Sequence, residues 1–265
     1  MRTIIVIPAR LSSWRFPDKP LTIIEGMSMI EHVYRRSLLV ENIDEVVIAA
    51  CDNKVLNTCE EFGAEVVMTS KDCQTACERV AEAAMIKGYT AHDDIVINVQ
   101  GDEPVVPPPV IEMTRQRLIE SDDHQVANLV ERIYDESDLQ NEHRVKAVLT
   151  AKNNLMFLSR NPIPATVFDN EKRSVPLKLT CITAFRGPFL KLFCELERTE
   201  IELIEGNDMM RTLEHEIKIP SGICPHKTHP VDIPEDINEV EKILENDEWF
   251  KIYRAESSYT PDRPG

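Results

Sequence analysis

The chain begins with Met1-Arg-Thr-Ile-Ile-Val-Ile-Pro-Ala-Arg-Leu-Ser-Ser-Trp-Arg-Phe-Pro-Asp-Lys-Pro20. Residues 3–7 are dominated by β-branched apolar side chains, which is typical of a strand buried on both faces of a parallel sheet, and Pro8 ends the run. A polar loop follows this strand. In open α/β sheets ligands bind beyond the carboxyl ends of the strands, so this loop is a predicted binding site.

The loop is rich in groups that bind anions. Arg10, Arg15 and Lys19 lie within ten residues, with the hydroxyls of Ser12 and Ser13 between them. Three cations and two hydroxyl donors suit a multiply charged anion such as a phosphate chain. The alternative is an ordinary basic surface loop, and the position directly after the first strand favours the binding site.

Length and composition narrow the class of protein. The 265 residues allow one large α/β domain or two small ones, with 42% hydrophobic and 29% charged residues. The net charge of −16 argues against nucleic acid as a partner. No apolar run approaches the ~20 residues that span a bilayer, and the chain starts with a strand pattern rather than a signal peptide. Seven scattered cysteines fit reduced thiols, so we expect a cytoplasmic protein that does not insert in membranes.

Strand and helix patterns alternate along the first half of the chain. This order predicts right-handed crossover units and hence an α/β fold, with a mostly parallel, doubly wound sheet covered by helices on both faces. The predicted strands are 3–7, 43–50, 64–68, 94–99 and 126–134, and the predicted helices are 28–40, 53–62, 74–87 and 107–120. A hairpin of 144–150 with 155–157 and a strand at 177–186 follow.

A second polar stretch, Val96-Ile-Asn-Val-Gln-Gly-Asp-Glu-Pro104, ends the fourth of these strands. A carboxylate just past a buried strand, after a glycine that permits a tight turn, can hold Mg²⁺ against substrate phosphates. An isolated Gln-Gly-Asp is otherwise an ordinary turn. The loop after the first strand, at the same edge of the sheet, favours the metal site.

Residues 7–21 resemble the signature loop of the 3-deoxy-manno-octulosonate (Kdo) cytidylyltransferases, roughly P-A-R-x-x-S-x-R-[LF]-P-G-K-P-L. Asp18 stands where that family usually has glycine. The similarity covers most of residues 3 to 245. It implies that Pro8, Ala9 and Arg10 bind nucleotide, and that Arg10, Arg15 and Lys19 act in catalysis.

Two further stretches are similar to the nucleotide-binding segments of that family. N-V-Q-G-D-E-P is its second signature, which implies that Asp102 is a catalytic metal ligand, that the backbone of Gln100 and Gly101 adjoins the nucleotide and that Gln100 contacts the nucleotide or the sugar. Residues 68–82 are similar to M-T-x-x-x-x-Q-S-G-T-E-R-[VL]-A-E, which implies that Gln74, Thr75 and Arg79 bind nucleotide. Ala76 and Cys77 replace the Gly and Thr of this pattern; the alternative is simply a capped amphipathic helix.

The acceptor side shows the weakest similarity. Ser159-Arg-Asn-Pro-Ile-Pro164 is similar to the family's F-S-R-x-x-I-P, which implies that Arg160 contacts an acidic sugar, with a surface ion pair as the alternative. A helix at 205–214 also resembles the family and places Glu205 on the acceptor side. The family strand H-[IL]-G-[IV]-Y-x-[YF]-R has its His and Tyr facing the sugar, where this chain has Leu179 and Thr183.

The last similar segment is Val231-Asp-Ile-Pro-Glu-Asp-Ile237. The resemblance implies that Asp232 is the second metal ligand, although a residue before Pro234 can also be an ordinary helix-start residue. Nearby, Cys224, His226 and His229 could suggest zinc, but the spacing is unusual and no fourth ligand is evident.

The sequence is thus identified as a Kdo cytidylyltransferase-like enzyme that uses CTP, an acidic sugar and Mg²⁺ in lipopolysaccharide or capsule biosynthesis. We expect one domain over residues 1–246, in which about 125–190 form an acceptor and dimerisation lobe of a homodimer, and a tail at 247–265. The alternatives are cytidylyl transfer to another carboxylate- or phosphonate-bearing acceptor and a non-catalytic nucleotide-binding homologue.

Overall fold

A mixed eight-stranded sheet forms the centre of the molecule, a computed structural model that describes residues 1–11, 16–165 and 175–257. A separate two-stranded ribbon pairs β2 with β3. The strands in chain order are β1 (Thr3–Ala9), β2 (Ile23–Ile24), β3 (Met27–Ser28), β4 (Glu45–Ala50), β5 (Val66–Met68), β6 (Ile95–Val99), β7 (Val126–Arg132), β8 (Lys146–Leu149), β9 (Leu155–Ser159) and β10 (Leu177–Arg186).

The helices cover both faces of this sheet. A 3₁₀ turn at Lys19–Leu21 precedes them. They are α1 (Met29–Leu38), α2 (Asn53–Glu61), α3 (Ala76–Ile86), α4 (Pro108–Ile119), α5 (Glu136–Gln140), α6 (Gly187–Glu195), α7 (Glu200–Glu205), α8 (Met209–Glu214), α9 (Asp236–Glu245) and α10 (Glu248–Ser257).

The first part of the sheet is parallel. Strands β5, β4, β1 and β6 lie side by side in that order, and all three pairings between them are parallel. Ile5 and Ile7 pack in one core cluster with residues of α1, α2 and α4, whereas Ile4 and Val6 pack in the other with residues of α3, α6 and α8. Successive residues of a strand point to opposite faces, so a continuous apolar run is what a strand buried on both faces requires. The predicted α/β fold with helices on both faces is confirmed.

The second part of the sheet is antiparallel and is organised by β10. This strand pairs antiparallel with β6, β7 and β8, and β8 forms the expected hairpin with β9. The helix expected at 205–214 is instead two helices, α7 and α8. Gly206 ends α7 with a φ of 59°, in the left-handed region that interrupts a helix.

Helix α10, which lies in the predicted tail, contributes to a third core cluster. Phe250 and Tyr253 of α10 are buried there with Ile24 and Met29. Tyr253 Oη lies 2.7 Å from the Nδ1 of buried His32, and burial lowers the pKa of His32 to about 4. The expectation of a tail at 247–265 did not include this packing of α10 against α1. Within the described ranges, no helix combines the length and apolar character needed to cross a membrane.

Candidate active site

A cleft of about 450 Å³ opens at the carboxyl edge of the parallel strands and extends over β10. Nine of the residues predicted for the site line this cleft. Four of them were predicted to bind nucleotide, two to bind the metal ion and three to bind the acceptor. They are Arg10, Gln74, Thr75, Gln100, Asp102, Arg160, Leu179, Thr183 and Asp232.

The loop after β1 meets the turn after β6 through Lys19. The ammonium group of Lys19 donates to Asp102 Oδ2 at 2.7 Å and to the carbonyl of Val231 at 2.9 Å. The backbone N–H of Val231 in turn donates to the carbonyl of Asp102 at 2.9 Å. Three segments that are distant in the chain are therefore joined at one point. Arg10 lies at the exposed end of β1 on the cleft wall, and Arg15 lies outside the described residues.

The second aspartate has its own cation. Arg144 Nη1 donates to Asp232 Oδ2 at 3.0 Å and to the carbonyl of Pro230 at 3.2 Å. Burial raises the pKa of the Asp232 carboxyl and the charge of Asp102 raises it further, whereas Lys19 and Arg144 oppose both effects. Each aspartate thus has a cationic partner, and the two carboxylates are close enough to influence each other.

Gly101 is required by close packing. A Cβ atom at this position would lie 2.7 Å from the carbonyl oxygen of Pro8. The turn after β6 is therefore pressed against the end of β1, next to Ala9 and Arg10. Gly101 does not have a positive φ, so steric contact between the two loops, and not the conformational freedom expected from the sequence, is the reason for glycine at this position.

Asp18, by contrast, has the conformation that glycine adopts readily. Its φ is 55° and its ψ 19°, in the left-handed region, at the start of the 3₁₀ turn that carries Lys19. Asp tolerates this region better than most residues with a Cβ, and its carboxylate pairs with Lys54 at the surface. The loop therefore keeps the left-handed turn without glycine.

The start of α3 forms the wall opposite β10. Thr75 caps the helix by accepting from the backbone N–H of Glu78, while Glu78 accepts from the backbone of Thr75 in return. Gln74 Oε1 accepts from Arg198 at 3.0 Å. Arg79 is buried behind this wall, donating to Thr69 Oγ1 and to the carbonyl of Ser70, so it supports the loop and is not one of the cleft-lining residues.

Cys77, which stands for a Thr in the family pattern, lines the cleft together with Asp208. Its Sγ accepts from the side-chain amide of Asn98 at 3.7 Å. Burial raises the pKa of Asp208, and the thiol of Cys77 and the charge of Arg211 oppose that shift. The thiol therefore influences Asp208 in the place where the family pattern has a hydroxyl.

Leu179 and Thr183 both lie on the cleft wall, on either side of an irregularity in β10. The backbone N–H of Leu179 donates to the carbonyl of Val145 at 2.8 Å, which places it beside the start of β8. Thr183 Oγ1 accepts from the amide of Asn128 at 3.2 Å. Glu205 is not among the cleft-lining residues, because its carboxylate accepts from Ser159 and from the backbone of Arg160.

Comparison with known proteins identifies the family. A family model described as cytidylyltransferase matches residues 4–219. The chain is 36% identical to the 3-deoxy-manno-octulosonate cytidylyltransferase of Thermodesulfovibrio yellowstonii, over 92% of this chain and 98% of that protein. The chain belongs to the Kdo cytidylyltransferase family.

Two further similarities extend the comparison. The 8-amino-3,8-dideoxy-manno-octulosonate cytidylyltransferase of a Shewanella species (strain W3-18-1) is 36% identical, over 92% of this chain and 99% of that protein. A solved structure of CMP:2-keto-3-deoxy-manno-octonic acid synthetase complexed with CTP matches with a TM-score of 0.83 and 31% identity, over 92% of this chain and 99% of that one. The same architecture is therefore shared over nearly the full length of these cytidylyltransferases.

Buried charges near the cleft of this cytidylyltransferase were missed in the sequence. Lys178 Nζ lies 3.2 Å from Glu131 Oε1, and Glu131 also accepts from the backbone and hydroxyl of Thr228. Burial and the charge of Asp102 raise the pKa of Glu103 to about 8, so its carboxyl is mostly neutral at pH 7. A lysine inside the apolar strand Leu177–Arg186 was the available signal, since a buried lysine requires a partner.

The possible zinc site at Cys224, His226 and His229 is not among the side-chain groups that could hold a metal ion in the described residues. Cys224 is buried, and its backbone N–H donates to the carbonyl of Val130. In the described part of the chain no three His, Cys, Asp or Glu side chains are grouped as metal ligands. Asp102 and Asp232 are a pair of carboxylates and do not reach that group size. Mg²⁺ commonly takes one or two carboxylates from a protein when substrate phosphates complete its shell.

Proposed function

We propose that this enzyme transfers the cytidylyl group of CTP to a hydroxyl of an acidic sugar, Kdo or a related 3-deoxy-ulosonic acid. The acceptor oxygen bonds to the α-phosphorus, the bond to the bridging oxygen breaks, pyrophosphate leaves, and the hydroxyl proton is released. The product is a CMP-sugar for lipopolysaccharide or capsule synthesis. The observation that carries the proposal is the contact of Lys19 with Asp102 and Val231, which joins the cationic loop to both acidic segments.

The chain's own groups act by positioning and charge. Arg10, Arg15 and Lys19 hold the triphosphate and the leaving pyrophosphate, and Gln74 and Thr75 border the nucleotide at the start of α3. Such an arrangement lowers the barrier by fixing the in-line geometry and by neutralising charge that develops on the phosphates. No covalent intermediate is needed, because the acceptor hydroxyl is itself the nucleophile.

Mg²⁺ is the proposed cofactor, held by Asp102 and Asp232. Their segments are joined by the backbone hydrogen bond from Val231 to Asp102, and two carboxylates with substrate phosphates form a shell that suits this ion. When bound, it would neutralise phosphate charge and activate the acceptor hydroxyl. Before the ion binds, Lys19 and Arg144 neutralise the charges of Asp102 and Asp232, respectively.

A second candidate is transfer to a different acid, including a phosphonate. Leu179 and Thr183 support it, because an apolar side chain and a small hydroxyl give a wall that is less polar at one point and roomier at the other. A non-catalytic homologue is the remaining alternative, suggested by Asp18, Ala76 and Cys77. The paired aspartates with their cations argue against it.

The test is incubation of the purified protein with CTP, Mg²⁺ and a panel of acids while pyrophosphate release is measured. The panel contains Kdo, its 8-amino-8-deoxy analogue, another sugar acid and a phosphonate. Release with Kdo or its analogue supports the proposal, and release only with another acid supports the second candidate. No release with any acid contradicts both and favours the non-catalytic alternative.

A homodimer and a cytoplasmic location remain predictions. Exposed apolar side chains on the acceptor side support a subunit contact there, namely Met156 in β9 with Leu203 and Ile204 in α7. Sedimentation over a concentration series tests the dimer, and a monomer at all concentrations would contradict it.

A further inference from the structure

Of the five arginines and lysines that line the cleft, Arg10 follows β1 and Arg198 donates to Gln74, which places both by the proposed nucleotide site, and the other three could each hold the carboxylate of the acceptor. They are Arg144, Arg160 and Lys178, and all three line the cleft. The resemblance favoured Arg160. Their hydrogen bonds distinguish them, because a cation that is already committed to other groups must give up those contacts to bind a ligand.

Arg160 is committed to the backbone. Its Nε donates to the carbonyl of Glu205 at 2.7 Å, its Nη1 to that of Glu142 at 2.9 Å and its Nη2 to that of Gly206 at 3.3 Å. All three guanidinium nitrogens therefore tie the end of β9 to α7 and to the segment before β8. This is a structural role.

Lys178 is committed to a buried carboxylate. Its Nζ lies 3.2 Å from Glu131 and 3.4 Å from the carbonyl of Thr228, and the side chains of Lys178 and Glu131 are only 9% and 2% exposed. Removing the partner of a buried charge is costly, so Lys178 is held in place by Glu131.

Arg144 is committed on one side only. Its Nη1 contacts Asp232 and Pro230, whereas its Nε, also buried, donates to no residue of the described ranges. The side chain is 6% exposed and lines the cleft. Arg144 lines the cleft beside a proposed metal ligand, and within the described residues only its Nη1 donates, so the guanidinium can bind a further anionic partner there.

The chemistry of the acceptor selects this position. In the ring form of a 2-keto acid, the nucleophilic hydroxyl and the carboxylate are attached to the same carbon. If the hydroxyl lies at Asp102 and Asp232, the carboxylate must lie beside it, and Arg144 contacts Asp232 directly. Leu179, hydrogen-bonded through its backbone to Val145, then borders the rest of the sugar.

We infer that Arg144 binds the carboxylate of the acceptor and makes the enzyme prefer an acid to its uncharged amide. This inference rests on the proposed function. It assigns to Arg144 the contact that the resemblance gave to Arg160, and it leaves Arg160 as a residue that positions β9 and α7.

The test compares an acid with its uncharged amide. Kdo and Kdo carboxamide are assayed at saturating CTP and Mg²⁺ with the wild type, Arg144→Gln and Arg160→Gln; if the panel gives turnover only with the 8-amino analogue, that acid and its amide replace them. We expect the wild type to prefer the acid in kcat/KM by about ten- to hundredfold, the range of a charge-assisted contact. Arg144→Gln should lose most of that preference, and Arg160→Gln should keep it even if its overall rate falls.

Two measurements separate binding from folding. The KM for CTP and the melting temperature show whether Arg144→Gln is intact, and Arg144→Lys, which keeps the charge, should retain part of the preference. Loss of the preference in Arg160→Gln, or an unchanged preference in a folded Arg144→Gln, would overturn the inference while leaving the proposed function standing. No turnover of any acid by the wild type would overturn both.

Discussion

The charged groups on the two sides of the cleft are brought together by different parts of the fold. On the nucleotide side, Arg10, Lys19 and Asp102 lie in loops that directly follow β1 and β6, which are neighbouring parallel strands. On the acceptor side, Arg144 precedes β8 in the antiparallel part of the sheet, and its partner Asp232 is 88 residues further along the chain.

This difference explains why one side resembles the family more closely. The ends of adjacent parallel strands meet at one edge whatever the rest of the chain does, so a loop motif is enough to form the proposed phosphate site. The acceptor side depends on pairs across distant segments, and one of these can change without disturbing the nucleotide side. Substitutions on the nucleotide side should therefore affect every acceptor equally, whereas those on the acceptor side should change selectivity.

The largest effect is expected at Asp102. We expect Asp102→Asn to lower the rate of pyrophosphate release at least about a thousandfold with every acid, because a metal ion contributes several kcal/mol to such reactions and the substitution removes one of the two proposed ligands. EDTA should abolish the reaction, and added Mg²⁺ should restore it. Asp123→Asn, at an exposed position, is the control. Full activity in EDTA would contradict the metal site.

The sequence predicted the parallel strands because their apolar runs and the intervening helices repeat regularly. It also named Asp102 and Asp232, which the structure brings into one cleft, although their role as ligands remains a prediction. It did not predict Arg144, Lys178 or α10. Each of these is held by contacts with residues far along the chain, and no local sequence pattern marks such contacts. The ion pair of Arg36 in α1 with Asp247 beside α10 is an example.

Lys19 is expected to have the next largest effect. Lys19→Ala removes the charge-assisted bond to Asp102 and the bond to Val231, so we expect a loss of roughly ten- to hundredfold in kcat/KM for CTP. The loss should be the same with each acid of the panel. Lys54→Ala, which removes a surface lysine that pairs with Asp18, should be near wild type. Unchanged turnover and CTP affinity in Lys19→Ala would remove the loop from the site.

Gly101 tests the contact between the two nucleotide loops. Since a Cβ atom would lie 2.7 Å from the carbonyl oxygen of Pro8, backbone must move, and we expect Gly101→Ala to lower the free energy of unfolding by about 1–3 kcal/mol and to weaken CTP binding. Denaturant unfolding and the KM for CTP measure the two effects. Gly222→Ala is the matched control, because its Cβ would meet Leu129 at an ordinary 3.5 Å. Equal stability of both variants would show that the loops are not in tight contact.

The smallest effect concerns acceptor selectivity, where the two sides of the cleft differ most. Leu179 and Thr183 line the wall where Kdo cytidylyltransferases carry His and Tyr, so we expect Kdo to be a poor substrate compared with an acid that is bulkier or less polar at that end. Leu179→His with Thr183→Tyr should improve the use of Kdo relative to the native acceptor by about tenfold, since each added hydrogen bond contributes ~0.5–1.5 kcal/mol. The KM for CTP should not change.

The single variant Leu179→His isolates one part of this change. It adds a donor to the wall and keeps Thr183, whose hydroxyl accepts from the buried amide of Asn128, so no bulky phenol has to be fitted at that position. The single variant should therefore give part of the gain and lose less stability than the double variant, although Leu179 packs against the core cluster of Ile4 and Val6. Efficient use of Kdo by the unmodified enzyme would contradict this interpretation, because the wall would then tolerate Leu179 and Thr183 without a change of acceptor. In that case the two sides of the cleft would differ only in how the chain brings their charged residues together, and the acceptor side would not select a different acid.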